Sequence, residues 1–292
     1  MTAGTGIALA FVAMLCWGFG DFLIQKSARK LGDWETLFII TLFGSVVLLP
    51  FAWHSLPHLF SAGAPVFGIL SLACIAILAG ALLDLEAVRK GKLAIVEPIW
   101  SLEIVSASVL AFILFRESIT WAQTILIIIL LASLMLVAFK EKRLTKAIFL
   151  EKGVIIAIIA ALAMGCANFF MGWGGRVTDP VMVNFITDIF LVVVSGLFLA
   201  ARRHFFKVFG DLRRDFKLLI PMSVSDEAAW LAYVFSMSLV PIAVATALSE
   251  SYIVIAVLLG LFVNKEKLHT HQKLGLVAAL IAAIVLAAIT SA

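Results

Sequence analysis

Ten apolar stretches of membrane length follow one another with little chain between them, and that spacing leaves few folds open. They run roughly over 5–25, 34–53, 65–88, 92–115, 119–139, 153–173, 180–201, 217–238, 241–263 and 273–290. About 20 apolar residues carry a helix across the hydrocarbon core, and a chain in lipid must satisfy its backbone internally. Hydrophobic residues make up 63% of the chain and charged ones only 14%, far less charge than a soluble domain carries. The expected class is an all-α, multi-pass membrane protein. Its connections leave no room for a soluble domain; the longest, Arg202 to Lys217, is basic and reads as an interfacial segment. Met1 to Thr5 carries no Lys or Arg, so the first stretch is expected to stay as a helix and not to be cleaved as a signal peptide.

The chain also repeats itself. Ala94 to Gln123 slides onto Ala243 to Gln272 with a shift of 149 positions, which puts Arg116–Glu117 on Lys265–Glu266. Gly6 to Ile39 aligns without gaps onto Gly153 to Ile186, matching Gly18 with Gly165, Asp21 with Asn168, Phe22 with Phe169 and Arg29 with Arg176. The chain therefore divides into two five-helix repeats, 1–146 and 147–292. An odd number of spans per repeat gives the two copies opposite orientations, an inverted-topology repeat.

Charge is sorted by depth. Connections after the odd-numbered spans hold 20 of the 22 Lys and Arg; the other side has only Arg116 and Arg176. By the positive-inside rule both termini are expected outside the cytoplasm, in a prokaryotic inner (plasma) membrane. The net charge of +4 does not point to nucleic acid, because the basic residues lie along the rims. Nine of the 18 acids fall inside the spans: Asp21, Asp84, Glu86, Glu97, Glu103, Asp188, Asp226, Glu227 and Glu250. Acids inside a membrane are costly and mark pathways or binding sites.

Several of these acids come with neighbours that suggest a role. In the first span Trp17 and Gly18 precede Asp21. In the third, Asp84 has no basic residue three or four positions on, whereas Glu86 has Arg89 and Lys90 and reads as an ion pair. The fourth span carries Glu97, Pro98, Trp100 and Glu103, whose polar and aromatic side chains fall on one broad arc at about 100° per residue; Pro98 removes a backbone donor and suggests a kink. In the second half Asn168 takes the place of Asp21. Asp226, Trp230 and Tyr233 share a face of the eighth span, and Glu250 and Tyr252 lie in the ninth. The turns at Arg116–Glu117 and Lys265–Glu266 read as solvated surface charges. Gly18-Phe19-Gly20-Asp21 also fits the GxGD pattern of intramembrane aspartyl proteases, which would need a second Asp such as Asp84, Asp188 or Asp226. His54 and His58 lack a nearby carboxylate or thiol, and Cys16, Cys74 and Cys166 show no metal-ligand spacing, so neither metal nor cofactor is expected.

These features together resemble the EamA type of the drug/metabolite transporter superfamily. The likeness spans almost the whole chain: the five-plus-five order, Trp17–Gly18 in the first span, and the basic–acidic turns at Phe115-Arg116-Glu117 and Asn264-Lys265-Glu266. It implies a basket of ten helices around a central cavity lined by spans 1, 3, 4, 6, 8 and 9, with spans 5 and 10 at the edge. It further implies a carrier, often an exporter of metabolites or amino acids, and no enzyme. The acids at Asp84, Glu97, Glu103 and Glu250 depart from the small or aromatic residues of the members it resembles, which argues against a neutral or anionic substrate.

The expected function is alternating-access transport, as an exporter, of a small cationic or zwitterionic metabolite, with proton antiport as the coupling. Substrate contact is expected from Trp17, Asp21, Asp84, Glu97, Trp100, Glu103, Asn168, Trp230, Tyr233, Glu250 and Tyr252, whose rings offer cation–π faces. Proton coupling is expected from Glu103, Glu250, Asp226 and Glu227. The expected partners are thus a small molecule, protons and the lipid bilayer. The alternative is a facilitator of neutral metabolites or amino acids whose acids are structural.

Overall fold

The computed structural model describes residues 2–90, 99–138, 152–255, 258 and 269–291. Among these residues all regular structure is helical: α1 (Ala3–Leu31), α2 (Asp33–Ala52), α3 (Leu56–Ser61), α4 (Ala64–Lys90), α5 (Leu102–Phe115), α6 (Trp121–Ala138), α7 (Lys152–Val177), α8 (Pro180–Ala201), α9 (Phe205–Arg214), α10 (Phe216–Leu239), α11 (Ile242–Ser249) and α12 (Thr270–Ser291). Seven of them (α1, α2, α4, α7, α8, α10 and α12) are long and apolar enough to cross a membrane; the apolar helices at Leu102–Phe115, Trp121–Val137 and Ile242–Ile255 are shorter. These ten account for the ten expected spans. The short α3 and α9 lie in the connections, and α9 falls on the basic segment read as interfacial. Phe205 and Phe209 of α9 pack edge-on against Phe38 of α2, while Arg213 and Arg214 close its last turn.

The dominant helix pairs cross between the two halves. α1 packs along α10 and α4 along α7, α2 against α8, α6 against α12, and α5 against α7 as α11 does against α1. Each of these pairings maps onto another, or onto itself, when the halves are exchanged. The matched glycines show why. A Cβ on Gly18 would run into Ile255, and one on Gly165 into Ser106 and the backbone oxygen of Glu103. The contacted positions, 106 and 255, are themselves related by the shift of 149. A missing side chain at each site lets two backbones approach, the usual device for packing helices in lipid.

The edge pair shows the same symmetry in hydrogen bonds. Thr120 and His269 lie just before α6 and α12, and the backbone N–H of each donates to a glutamine three residues on, Gln123 at 2.8 Å and Gln272 at 3.0 Å. This is the geometry of half a capping box. Each glutamine then uses its amide to join the two helices: Gln123 Nε2 donates to Thr290 at 3.0 Å, and Gln272 Nε2 to the carbonyl of Val137 at 3.0 Å.

On the basic side of the bundle, Lys30 at the end of α1 donates to Asp215 ahead of α10 at 2.6 Å, and Arg214 adds a contact at 3.1 Å. The hydrogen bond from Lys30 is the main reason that the Asp215 carboxyl is held below its ordinary range. A depressed carboxyl stabilises the fold above its unfolded value and loses that contribution as pH falls through its folded value. The melting-temperature difference between wild type and Lys30→Gln is therefore expected to be small and to vanish on acidification below the usual carboxylate range. Thermal melts across acidic pH check this.

Candidate functional site

Two of the expected spans are interrupted, and at repeat-related positions. The fourth span turns at Ser101 before α5 begins, and the ninth turns at Glu250–Ser251 between α11 and the helical turn over 252–255. Ser101 and Glu250 coincide under the shift of 149. At the first break Ile104 N–H reaches only to Ser101 O, at 3.3 Å; at the second, Ser251 N–H reaches Leu248 O at 3.2 Å. Broken helices free backbone groups at depth, and membrane carriers build binding sites at such places. Glu103 and Glu250 sit at these breaks, 6% and 5% exposed. Glu97 and Pro98, where a kink was expected, lie outside the described residues.

Around the breaks the two halves contribute to one group of acids. Glu103 is close enough to feel the charges of Glu250, Asp84 and Asp21; Glu250 feels Asp21 and Asp84, and Asp84 feels Asp21. Among the described residues, no basic side chain is among the charges acting on Asp84, Glu103 or Glu250. One neutral donor is supplied from α7, where the buried Asn168 gives its Nδ2 to Glu103 Oε2 at 3.1 Å. Beside Asp84, the indole of Trp100 acts on the carboxylate, yet Trp100 Nε1 and Asp84 Oδ1 are both enclosed without a bond of good geometry.

The aromatic residues of the expected site form a wall beside these acids. Trp17 of α1 meets Trp230 and Tyr233 of α10 edge-on, with centroids 5.3 and 5.1 Å apart, and its indole acts on the carboxyl of Asp226. Tyr233 is fully enclosed, its hydroxyl 2.7 Å from Thr246 of α11. Tyr252 is half-buried against the same core. The structure thus brings Trp17, Asp21, Asp84, Trp100, Glu103, Asn168, Asp226, Trp230, Tyr233, Glu250 and Tyr252 to facing helices. Glu227 goes elsewhere. It follows Asp226 by one position, about 100° around the helix, and its carboxyl meets Asp188 of α8. Among the described residues no group of three His, Cys, Asp or Glu is arranged to hold a metal.

The turn read as solvated charge is a latch. Arg116 adopts a left-handed conformation (φ 51°) that ends α5, and the N–H groups of Arg116 and Glu117 both return to Ala111 O, the latter at 3.2 Å. This turns Glu117 inward, where it accepts from Arg176 Nη2 at 2.9 Å and from the backbone N–H of Ile242 at 2.8 Å. Arg176 also donates to the carbonyls of Met237 and Val240 and stacks over Phe115 at 5.3 Å. The ion pair thus ties α5, α7, α10 and α11 together beside a recess of about 370 Å³ lined by Phe115, Glu117, Trp173, Arg176 and Val177. The sequence signal was present, since Arg176 and Arg116 are the sparse basic residues of that side, but their partners are distant in the chain. Arg176→Gln is expected to lower stability by about 1–3 kcal/mol, the cost of stranding a charged hydrogen-bonded partner. Thermal melting of the purified variant measures it.

Interrupted helices that bring acids together between two inverted repeats define a multi-pass carrier. The family model of the EamA-like transporters matches the chain twice, over residues 4–139 and 151–288. The chain belongs to the EamA-like transporter family and is an integral membrane transporter of the drug/metabolite superfamily. No curated protein matches it. Among solved structures 29 chains match; one, described only as the crystal structure of a protein, superposes with a TM-score of 0.73 at 12% identity, covering 97% of this chain and 95% of its own. At that identity the likeness concerns the fold.

Proposed function

We propose that the protein is an alternating-access exporter of small cationic or zwitterionic organic metabolites, exchanging them for protons at the group formed by Asp21, Asp84, Glu103 and Glu250. The observation that carries this reading is the convergence of carboxylates from both halves at two helix breaks, with no basic residue among the described ones whose charges act on Asp84, Glu103 and Glu250. Carboxylates crowded in this way are balanced by a cation or by protons, and competition between the two is the elementary form of antiport. Trp230, the half-buried ring of the Trp17–Trp230–Tyr233 wall, offers a face to an organic cation. Asn168 can donate to Glu103 whether that carboxyl is charged or protonated, so the two forms can exchange without loss of the contact. Residues 1–146 and 147–292 are the two repeats in this scheme. Both termini face away from the cytoplasm of a prokaryotic inner membrane, and the Arg176–Glu117 latch closes the outer end.

A thermal-shift screen of organic cations against neutral amino acids, run at two pH values, tests the reading. Stabilisation by cations that weakens on acidification supports it. Stabilisation by neutral amino acids alone, equal at both pH values, would replace it with the facilitator, a reading favoured by the Glu103–Asn168 and Tyr233–Thr246 hydrogen bonds. The protease pattern draws no support from its glycines, which packing explains: Gly18 lies against Ile255, and a Cβ on Gly20 would come within 3.1 Å of Ser225.

A further inference from the structure

A second pair of acids lies outside the central group. Asp188 of α8 and Glu227 of α10 meet over Gly44 of α2, and a Cβ at Gly44 would collide with Asp188 Oδ2 and Glu227 Oε2 together. Only a glycine leaves room for two carboxylates there. Glu227 is 7% exposed, and its Oε1, like Oδ2 of Asp188, is enclosed without a hydrogen-bond partner. The surrounding donors are already committed. Thr41 and Ser45 on α2, Thr187 on α8 and Ser223 on α10 each give their one hydroxyl proton to a carbonyl of their own helix. No Lys, Arg or His occurs in α2 or α8, and the one basic residue of α10 is Lys217, ten positions before Glu227. Among the described residues two other titratable groups face the pair: Asp226 beside it on α10, and Cys74 of α4, whose thiol is directed at Ile186 O at 4.0 Å. Neither supplies a positive charge.

Two carboxylates in contact, each with an enclosed oxygen that lacks a partner and with no free donor among the described residues, need a proton between them, because burying two uncompensated negative charges is prohibitive. We infer that Asp188 and Glu227, seated on Gly44, form a proton-binding site distinct from the central acids. One carboxyl carries the proton and donates it to the other carboxylate. Asp226 feels both Glu227 and Asp21, so the held proton stands one carboxylate away from the substrate group. The inference deepens the antiport reading by giving the coupling proton a station of its own, and it rests on that reading only for this role.

The test is infrared difference spectroscopy of the full-length protein in nanodiscs as pH is changed, following the stretching band of protonated carboxyl groups. One band is expected to be lost in Asp188→Asn and equally in Glu227→Gln, because both residues hold the same proton, and to persist in Glu103→Gln. Gly44→Ala, which pushes the carboxylates apart, is expected to shift or split it. Should either neutral variant fail to fold, Glu227→Asp keeps the charge and is expected to retain the band with a displaced midpoint. An unchanged spectrum in Asp188→Asn and Glu227→Gln, or two bands lost separately, overturns the site. If the central variants transport normally while this band behaves as expected, the substrate reading fails and the proton site stands.

Discussion

Glu103→Gln and Glu250→Gln should each lower pH-gradient-driven uptake in proteoliposomes by about 5- to 150-fold, the range set by coupling free energies of about 1–3 kcal/mol. The probe is whichever cation most stabilises the wild type. Glutamine preserves shape and can still accept a hydrogen bond from Asn168, so the loss should come from charge and not from packing. Thermal stability separates the two causes. Glu250 stands among Asp21 and Asp84 and feels both, so neutralising it removes repulsion and the melting temperature should hold or rise while transport falls. A variant that lost both would point to a structural role. Unchanged pH-driven uptake in both variants would remove these residues from the coupling step.

The second large effect concerns Gly165. A Cβ there would lie 2.7 Å from the backbone oxygen of Glu103 and press on Ser106. A flexible side chain could yield, but a backbone carbonyl at the start of α5 cannot move without carrying Glu103 with it. Gly165→Ala is therefore expected to cost about 1–3 kcal/mol, typical of overpacking, and to impair transport by drawing Glu103 away from Asn168. Its repeat partner Gly18 meets the Cβ and Cγ2 of Ile255 at 2.7 and 2.8 Å, atoms that a β-branched side chain holds close to its backbone, so Gly18→Ala should also destabilise, without acting on Glu103. Gly68 has no atom within 4 Å of the Cβ position and serves as the control. Alanine there should be neutral or stabilising by about 0.5–1 kcal/mol, since glycine weakens a helix interior. Melting temperatures of the three variants set the first two against the control.

The sequence made the helices and their pairing in two copies legible because both are written in local patterns, hydropathy along each span and fixed offsets between spans. Glu103 and Glu250 stood out for the same reason, as acids at depth without a basic neighbour on their own helix. The break at Glu250 was not legible. Ser249-Glu250-Ser251 contains neither glycine nor proline, and only its likeness to the Ser101 region, downstream of Pro98, hinted at an interruption. The partner of Glu227 was hidden by a different limit. Asp226 and Glu227 are adjacent in sequence, and which face of α10 turns to α1 and which to α8 depends on packing that no local pattern encodes. Gly44 carries its meaning only once two carboxylates are seen above it. Glu117 was misread because a charged turn at a membrane surface is ordinarily solvated, and its Arg176 partner lies 59 positions away.

The account depends on Glu103 and Glu250, from opposite halves, sharing one site. The direct measurement is cross-linking with a short thiol-specific reagent in Glu103→Cys/Glu250→Cys, after Cys16, Cys74 and Cys166 are replaced by serine. Gln123→Cys/Thr290→Cys, a pair joined across α6 and α12 by a 3.0 Å hydrogen bond, is the positive control. Efficient cross-linking between positions 103 and 250 is the predicted result; a control that cross-links while 103 and 250 do not would contradict it.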